Sequence, residues 1–232
     1  MRFRLILPII AFTLFFAACT SPTRFKSDVE TTKKPWTNLN FNNDPNNFQF
    51  GIMSDRNGGN RPGVFDEAVK KLNLMQPEFV MCVGDLISGY TTDTAVIKKE
   101  WNEVNSIISG LRMPFFYLPG NHDITNKTME KEWEKLYGKR YYSFVYKNTL
   151  FITLDTNDDD DFNLTTKQTD FVINTLKKNA GVRWTFIFMH HPIWTYNTDG
   201  RFGKIEHALK ERKYTVIAGH EHHYHQAERN GS

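Results

Sequence analysis

Cysteine is nearly absent. Two residues in 232, Cys19 and Cys82, cannot build a multi-disulfide scaffold. A strong charge of either sign is missing as well. The formal net charge is +3, and two of the positive charges, Arg2 and Arg4, sit at the extreme N-terminus. So nearly neutral a chain has no general electrostatic hold on a phosphate backbone, so no nucleic-acid partner is expected. No serine or cysteine stands in a recognisable nucleophile setting, no phosphate-loop lysine follows Gly58-Gly59, and no segment repeats. A composition of 40% hydrophobic and 24% charged residues excludes a wholly disordered or wholly membrane-embedded chain.

The N-terminus reads as an address. Met1–Arg4 carries two arginines, and the apolar run Leu5–Ala18 is shorter than the roughly 20 residues a spanning helix needs. This order of basic start, apolar middle and small residues is that of a secretory signal over 1–18. The run ends Phe16-Ala17-Ala18-Cys19, which resembles the lipobox of bacterial lipoproteins. The resemblance implies cleavage before Cys19, lipid on its thiol and a membrane-anchored protein of the bacterial cell envelope. An ordinary signal cleaved nearby is the alternative. Residues 19–47 carry Pro22, Pro35, Pro45 and crowded asparagines with no helical or strand period, which predicts a flexible tether. The folded domain is expected over 48–232. Cys82 lies in an apolar run and reads as a core residue.

From Phe48 onward strand and helix patterns alternate. Phe48–Met53, Phe79–Val83, Phe115–Leu118, Trp184–Met189 and Val216–Ala218 are short apolar runs. Helices are predicted over Val64–Leu74, around Ile97–Ile108, at Met129–Leu136, from the Thr165/Gln168 capping pattern to Ala180, and over Gly203–Arg212. Tyr141–Tyr146 and Leu150–Asp155 flank a Lys147-Asn148 turn.

Each of the five apolar runs ends in a polar cluster: Asp55, Asp85, Asn121-His122-Asp123, His190-His191 and His220/His222. Strands covered on both faces read as continuous apolar runs. Groups at the carboxyl ends of such strands converge on one rim. Of eight histidines only His207 stands apart from these clusters and their immediate sequel. Carboxylate and amide oxygens mixed with imidazole nitrogens suit Zn, Fe or Mn better than Ca. Two carboxylates and several imidazoles exceed one four-coordinate site, so a pair of ions sharing a bridging carboxylate accommodates them.

With these residues in place the chain resembles the calcineurin-like metallophosphoesterase superfamily, which includes purple acid phosphatases and related bacterial phosphatases. Its pattern is D-x-H, G-D, G-N-H-D/E, a His before x-Pro, and G-H-x-H. Here stand Asp55-Arg56-Asn57, Gly84-Asp85, Gly120-Asn121-His122-Asp123, His190-His191-Pro192 and Gly219-His220-Glu221-His222, in the same order. The resemblance implies an αββα four-layer sandwich of two mixed sheets with helices outside. It implies hydrolysis of a phosphate ester, on a small molecule or a phosphoprotein, by a metal-bound hydroxide at two ions, Fe, Mn or Zn. Asp55 and His222 would hold the first ion, Asp85 would bridge, and Asn121, His190 and His220 would hold the second. His122 would face the substrate without binding metal, and Asp123 would orient it.

Asn57 is the departure, standing where the family has histidine. As a weaker amide ligand it would leave the first site looser, or suited to Mn or Mg. Arg56 reads equally as a phosphate contact or a surface residue. His191 is expected behind the ligands or facing substrate, His223 and His225 as incidental, and Asp158–Asp161 as a solvated turn. The superfamily continues with strands after its last histidine motif, whereas Asn230-Gly231 here has no returning strand. That predicts a C-terminally incomplete domain. A non-catalytic metal- or phosphate-binding lipoprotein, disabled by truncation or by Asn57, is the rival reading.

Overall fold

Alternation of side chains along the strands sorts the apolar residues into three layers of core. The computed structural model describes residues 25–41, 47–158, 163–196 and 200–228. In chain order its elements are β1 (Phe25–Ser27), β2 (Phe50–Met53), α1 (Val64–Met75), β3 (Phe79–Cys82), α2 (Thr94–Ile108), β4 (Phe115–Phe116), α3 (Lys127–Tyr137), β5 (Tyr142–Tyr146), β6 (Thr149–Thr153), α4 (Thr166–Lys178), β7 (Trp184–Phe188), α5 (Ile193–Tyr196), α6 (Arg201–Leu209) and β8 (Tyr214–Ile217). The signal, Cys19, Asp159–Asp161 and Asn230-Gly231 lie outside the described residues.

Two sheets form, ordered β1-β5-β6-β7-β8 and β2-β3-β4. The larger is mixed: β1, β5 and β6 run antiparallel, and β6, β7 and β8 parallel. The smaller, expected to be mixed, is parallel throughout. Each of its strands returns through a helix, α1 or α2, and such crossovers join parallel neighbours where a tight hairpin would give an antiparallel pair.

Along β3 and at the residue after it, Phe79, Met81 and Val83 face the other sheet, while Val80 and Cys82 face the helices. Along β7 and at the residue after it, Phe186 and Phe188 face inward, while Ile187 and Met189 meet the second helix layer. One helix layer is α1–α3, anchored by Phe65, Trp101 and Trp133; the other is α4–α6, anchored by Val172, Ile193 and Ile205. Between the sheets lies an aromatic slab of stacked and edge-on rings, such as Phe144–Phe151 at 4.8 Å and Phe79–Phe151 at 5.2 Å. The order helix, sheet, sheet, helix is the expected four-layer sandwich.

Residues 25–41 correct the tether expectation. β1 pairs antiparallel with β5, Phe25 opposite Tyr146, and Trp36 bridges to Phe116. Phe25, Trp36 and Phe41 pack on the inter-sheet slab. Three irregularly spaced aromatics escape any periodicity search. An open edge on β5 and an aromatic core beside it nevertheless give them a place to bury part of their apolar surface.

Local signals account for the helix starts. Asp93 and Asn126 accept from backbone amides of the first turns of α2 and α3. Thr165 caps α4 by accepting from the Gln168 N–H, but the Gln168 side chain does not close a capping box and instead brackets the Asp155 backbone, accepting from its N–H at 2.7 Å and donating to its carbonyl at 2.9 Å. Asp158 is no solvated acid either: Arg140, Thr165 and Gln168 hold its carboxylate.

Candidate metal centre

All five polar clusters sit just past the carboxyl ends of parallel strands: Asp55 after β2, Asp85 after β3, residues 121–123 after β4, His190 after β7 and His220 after β8. To turn functional groups back over the rim the chain bends sharply. Asp55, Asp85, His220 and His222 all have positive φ, between 49° and 71°. Such strain costs roughly 1–3 kcal/mol per residue and gathers at functional sites. Small residues make the close approach possible. A Cβ on Gly84 (φ 100°) would lie 2.6 Å from His190 Nδ1, and one on Gly120 would lie 2.2 Å from Asp85 Oδ1.

The two sheets are tied together at this rim. His190 Nδ1 lies 2.7 Å from the Val83 carbonyl, which can only accept, so Nδ1 carries a proton. His190 Nε2 then faces Asn121 Oδ1 at 2.9 Å, Asp85 Oδ2 at 3.1 Å and His220 Nδ1 at 3.2 Å. Asn121 is oriented by its other end, since its Nδ2 donates to the Tyr90 hydroxyl at 2.7 Å. Asp55 accepts from the His220 N–H at 2.9 Å and lies 3.5 Å from His222 Nε2. Asp55, Asp85 and His190 offer ligand atoms within 4.8 Å of one another. A cavity of about 380 Å³ opens above, lined by Gly58, Asp85, Asn121, His122, His220 and His222, with Glu221 at its edge. A larger cleft of about 560 Å³, bordered by Arg61, Asp66 and Ser106, carries none of these groups.

Burial alone would raise the Asp85 carboxyl, but the His190 hydrogen bond and charge and the His122 amide outweigh it, and Asp85 ends below the usual carboxylate range. His190 is pushed down by burial and more strongly up by Asp85, so it ends raised. His220 is lowered, by burial first and then by His190.

Three expectations change. Asn57 is buried, and its amide is spent on the loop after β3: Nδ2 donates to the Leu86 carbonyl at 2.7 Å and Oδ1 accepts from the Ser88 hydroxyl at 3.2 Å. It braces that loop, with both ends of its amide engaged there. Asp123 does not orient His122. It is fully buried, and its oxygens accept from the amides of Gly120 (2.9 Å), Leu86 (2.9 Å) and Ile87 (3.1 Å). The backbone turns that carry the ligands thus converge on Asp123, which burial first and then the Asp85 charge raise to about 7. The group that orients His122 is the Ser88 carbonyl, 2.8 Å from Nδ1. Arg56 is turned away from the cavity, bound to Glu103 and the Leu86 carbonyl.

His191 stands beside His190 and His220, the three offering ring nitrogens within 4.8 Å of one another. It is fully buried, with Nδ1 2.8 Å from the Thr156 hydroxyl and its ring against His220 at 4.3 Å. Burial, then His190 and His220, lower it to about 2, so it is neutral. His223 and His225 are exposed. Sequence reasoning missed Ser88 and Tyr90. Neither follows an apolar run directly, so only the bend of the loop after Asp85 brings them to His122 and Asn121.

A family model for calcineurin-like phosphoesterases matches residues 48–224. The chain belongs to that family. This phosphoesterase is similar in fold to a dimetal phosphatase from Danio rerio, at 15% identity and TM-score 0.56 over 75% of this chain and 82% of that one. It is similar also to a purple acid phosphatase from yellow lupin seeds, at 17% identity and TM-score 0.55, over 75% of this chain and 38% of that one. No curated protein matches the sequence.

The donor set of the phosphoesterase fits metal. Asp85 Oδ2, Asn121 Oδ1 and His220 Nδ1 all lie within hydrogen-bond distance of His190 Nε2; the two oxygens can only accept, and each ring nitrogen accepts when it carries no proton. Lone pairs so placed repel unless a proton or a cation lies among them, and oxygen mixed with imidazole nitrogen is the donor set of Zn, Fe and Mn.

Proposed function

We propose that this phosphoesterase hydrolyses a phosphate ester, on a small molecule or a phosphoprotein, at a pair of Fe, Mn or Zn ions. Asp55 and His222 would hold one ion and Asn121, His190 and His220 the other, with Asp85 shared between the two groups. The observation that carries this is the cluster of oxygen and imidazole ligand atoms around His190 Nε2, at 2.9–3.2 Å. When bound, the ions would supply an activated water and offset the charge of the phosphoryl oxygens.

The remaining work falls to His122. Its Nδ1 proton is engaged by the Ser88 carbonyl, so Nε2 is the atom presented to the cavity, 4.0 Å from Asp85 Oδ2. Protonated there, it steadies a phosphoryl oxygen and passes the proton to the leaving-group oxygen. Its side chain is 23% exposed, which leaves it open to substrate. Reconstitution with Mn, Fe or Zn, followed by phosphate release from a panel of mono- and diesters, tests the reading. No release with any metal, with phosphate analogues still bound, favours instead a non-catalytic binder. The diversion of Asn57 to Leu86 and Ser88 speaks for that rival, because it leaves fewer donors beside Asp55 and His222.

The same protein is proposed to be lipid-anchored through Cys19 at the bacterial cell envelope, on the order of basic, apolar and small residues that precede it. No helix among the described residues is long and apolar enough to cross a membrane. Incorporation of labelled fatty acid tests the anchor.

A further inference from the structure

We propose that Tyr90 is a positioning residue for the metal centre, holding the outward nitrogen of Asn121 so that the amide oxygen stays turned to the ion shared with His190 and His220. This rests on the dinuclear reading above. An amide side chain has one acceptor end, and only that end can ligate a cation. The Nδ2 end of Asn121 donates to the Tyr90 hydroxyl at 2.7 Å, while Oδ1 lies 2.9 Å from His190 Nε2. A hydrogen bond donated by the nitrogen fixes the amide plane and raises the electron density on the oxygen, as outer partners of metal ligands do.

Tyr90 is itself held for the task. Its φ is 50°, an unfavourable conformation for a bulky side chain. Its N–H donates to Thr125 Oγ1 at 3.3 Å, and that hydroxyl donates to the Asn121 carbonyl at 2.8 Å. Its ring meets the His122 ring edge-on at 4.8 Å. Just before it, a Cβ on Gly89 would fall 1.7 Å from the His122 carbonyl, so only glycine lets the two turns touch. Yet the side chain is left largely in solvent, with Tyr90 59% exposed, so packing does not explain its placement.

The test is calorimetric titration of the metal-free full chain with Mn²⁺. Tyr90→Phe keeps the ring and the backbone conformation and removes only the hydroxyl. Wild type is expected to bind two ions. Tyr90→Phe weakens one of the two events about tenfold and leaves the other unchanged. Asn121→Ala weakens the same event, and the double variant loses no more than Asn121→Ala alone. Phosphate release by Tyr90→Phe recovers at saturating Mn²⁺, which a general loss of structure would not permit. Equal binding of both ions by Tyr90→Phe and wild type, or losses that add in the double variant, overturns the role of Tyr90 while leaving the dinuclear reading intact. A wild type that binds fewer than two ions overturns both.

Discussion

Gly120→Ala adds one methyl group to the centre and nothing else. Its Cβ would lie 2.2 Å from Asp85 Oδ1, 2.5 Å from the Asp85 amide nitrogen and 2.9 Å from its carboxyl carbon. Ordinary contact begins near 3.4 Å, so Asp85 has to retreat by about 1 Å. Two of the close atoms belong to one carboxylate whose other oxygen faces His190 at 3.1 Å, and the third is backbone, so no flexible tip can swing aside. Overpacking of this kind costs about 1–3 kcal/mol, which for a domain of this size lowers Tm by a few degrees. Catalysis suffers more, because a displacement of 1 Å at a reacting centre is worth about 10²-fold in rate. The expected outcome is a folded protein with much reduced metal content and about 10²-fold slower phosphate release, measured by elemental analysis, thermal melting and phosphate assay after reconstitution. Gly181→Ala is the control, since a Cβ there meets nothing within 4 Å. Wild-type metal content and turnover in Gly120→Ala would refute the reasoning, because Asp85 could then move freely without consequence.

Asp85→Asn should cut metal content markedly; unchanged metal by elemental analysis removes Asp85 from the bridging position. His122→Ala should keep its metal and lose about 10²–10⁴-fold in turnover, whereas His190→Ala loses both; equal turnover in His122→Ala and wild type ends the role given to that ring. Asp155 is raised to about 6, burial outweighing the Arg140 ion pair at 3.0 Å, and lies above the value of about 3.9 in an unfolded chain. The fold therefore holds that proton more tightly: the contribution, on the order of 3 kcal/mol, is complete below pH 4 and is lost as pH rises through 6. Asp155→Asn should flatten urea midpoints across that window, and an unchanged slope would assign the effect to another group. Cys19→Ala should release the protein from the membrane fraction or block its maturation; a wild type that never takes up labelled fatty acid points to a soluble secreted protein.

Legibility in the sequence followed burial. β3 and β4 are covered on both faces, so they read as unbroken apolar runs, and β7 is interrupted only by Thr185; the polar residues after them stand out as rim groups. Burial of this kind marks Asp85, Asn121 and His190, whereas Asp55, His220 and His222 follow the less covered β2 and β8 and are marked by the order of the motifs. β1 was illegible for the opposite reason. Its three residues have no period of their own, and their order comes from the β5 edge more than a hundred positions away and from an aromatic slab that includes Trp36, Phe41, Phe116 and Phe144.

Hydrogen-bond partners were legible least. Asp123 follows His122 in the chain, which suggests a carboxylate–imidazole pair, but its side chain goes to three backbone amides while the imidazole takes the Ser88 carbonyl. Asn57 stands at a ligand position by order, and the loop after Asp85 claims both ends of its amide.

By itself the sequence determined the family, the layered alternation of strand and helix, and the set of groups that meet at the rim, because strand burial and residue order are one-dimensional properties that side-chain type records directly. Which atom of each group faces which neighbour was decided only by the tertiary structure. Several donors and acceptors compete within about 3 Å at the ends of the strands, and left-handed turns at Asp55, Asp85, Tyr90 and His220 aim the side chains that win. Those turns are stable only against the neighbouring strands, so no stretch of sequence read alone contains them.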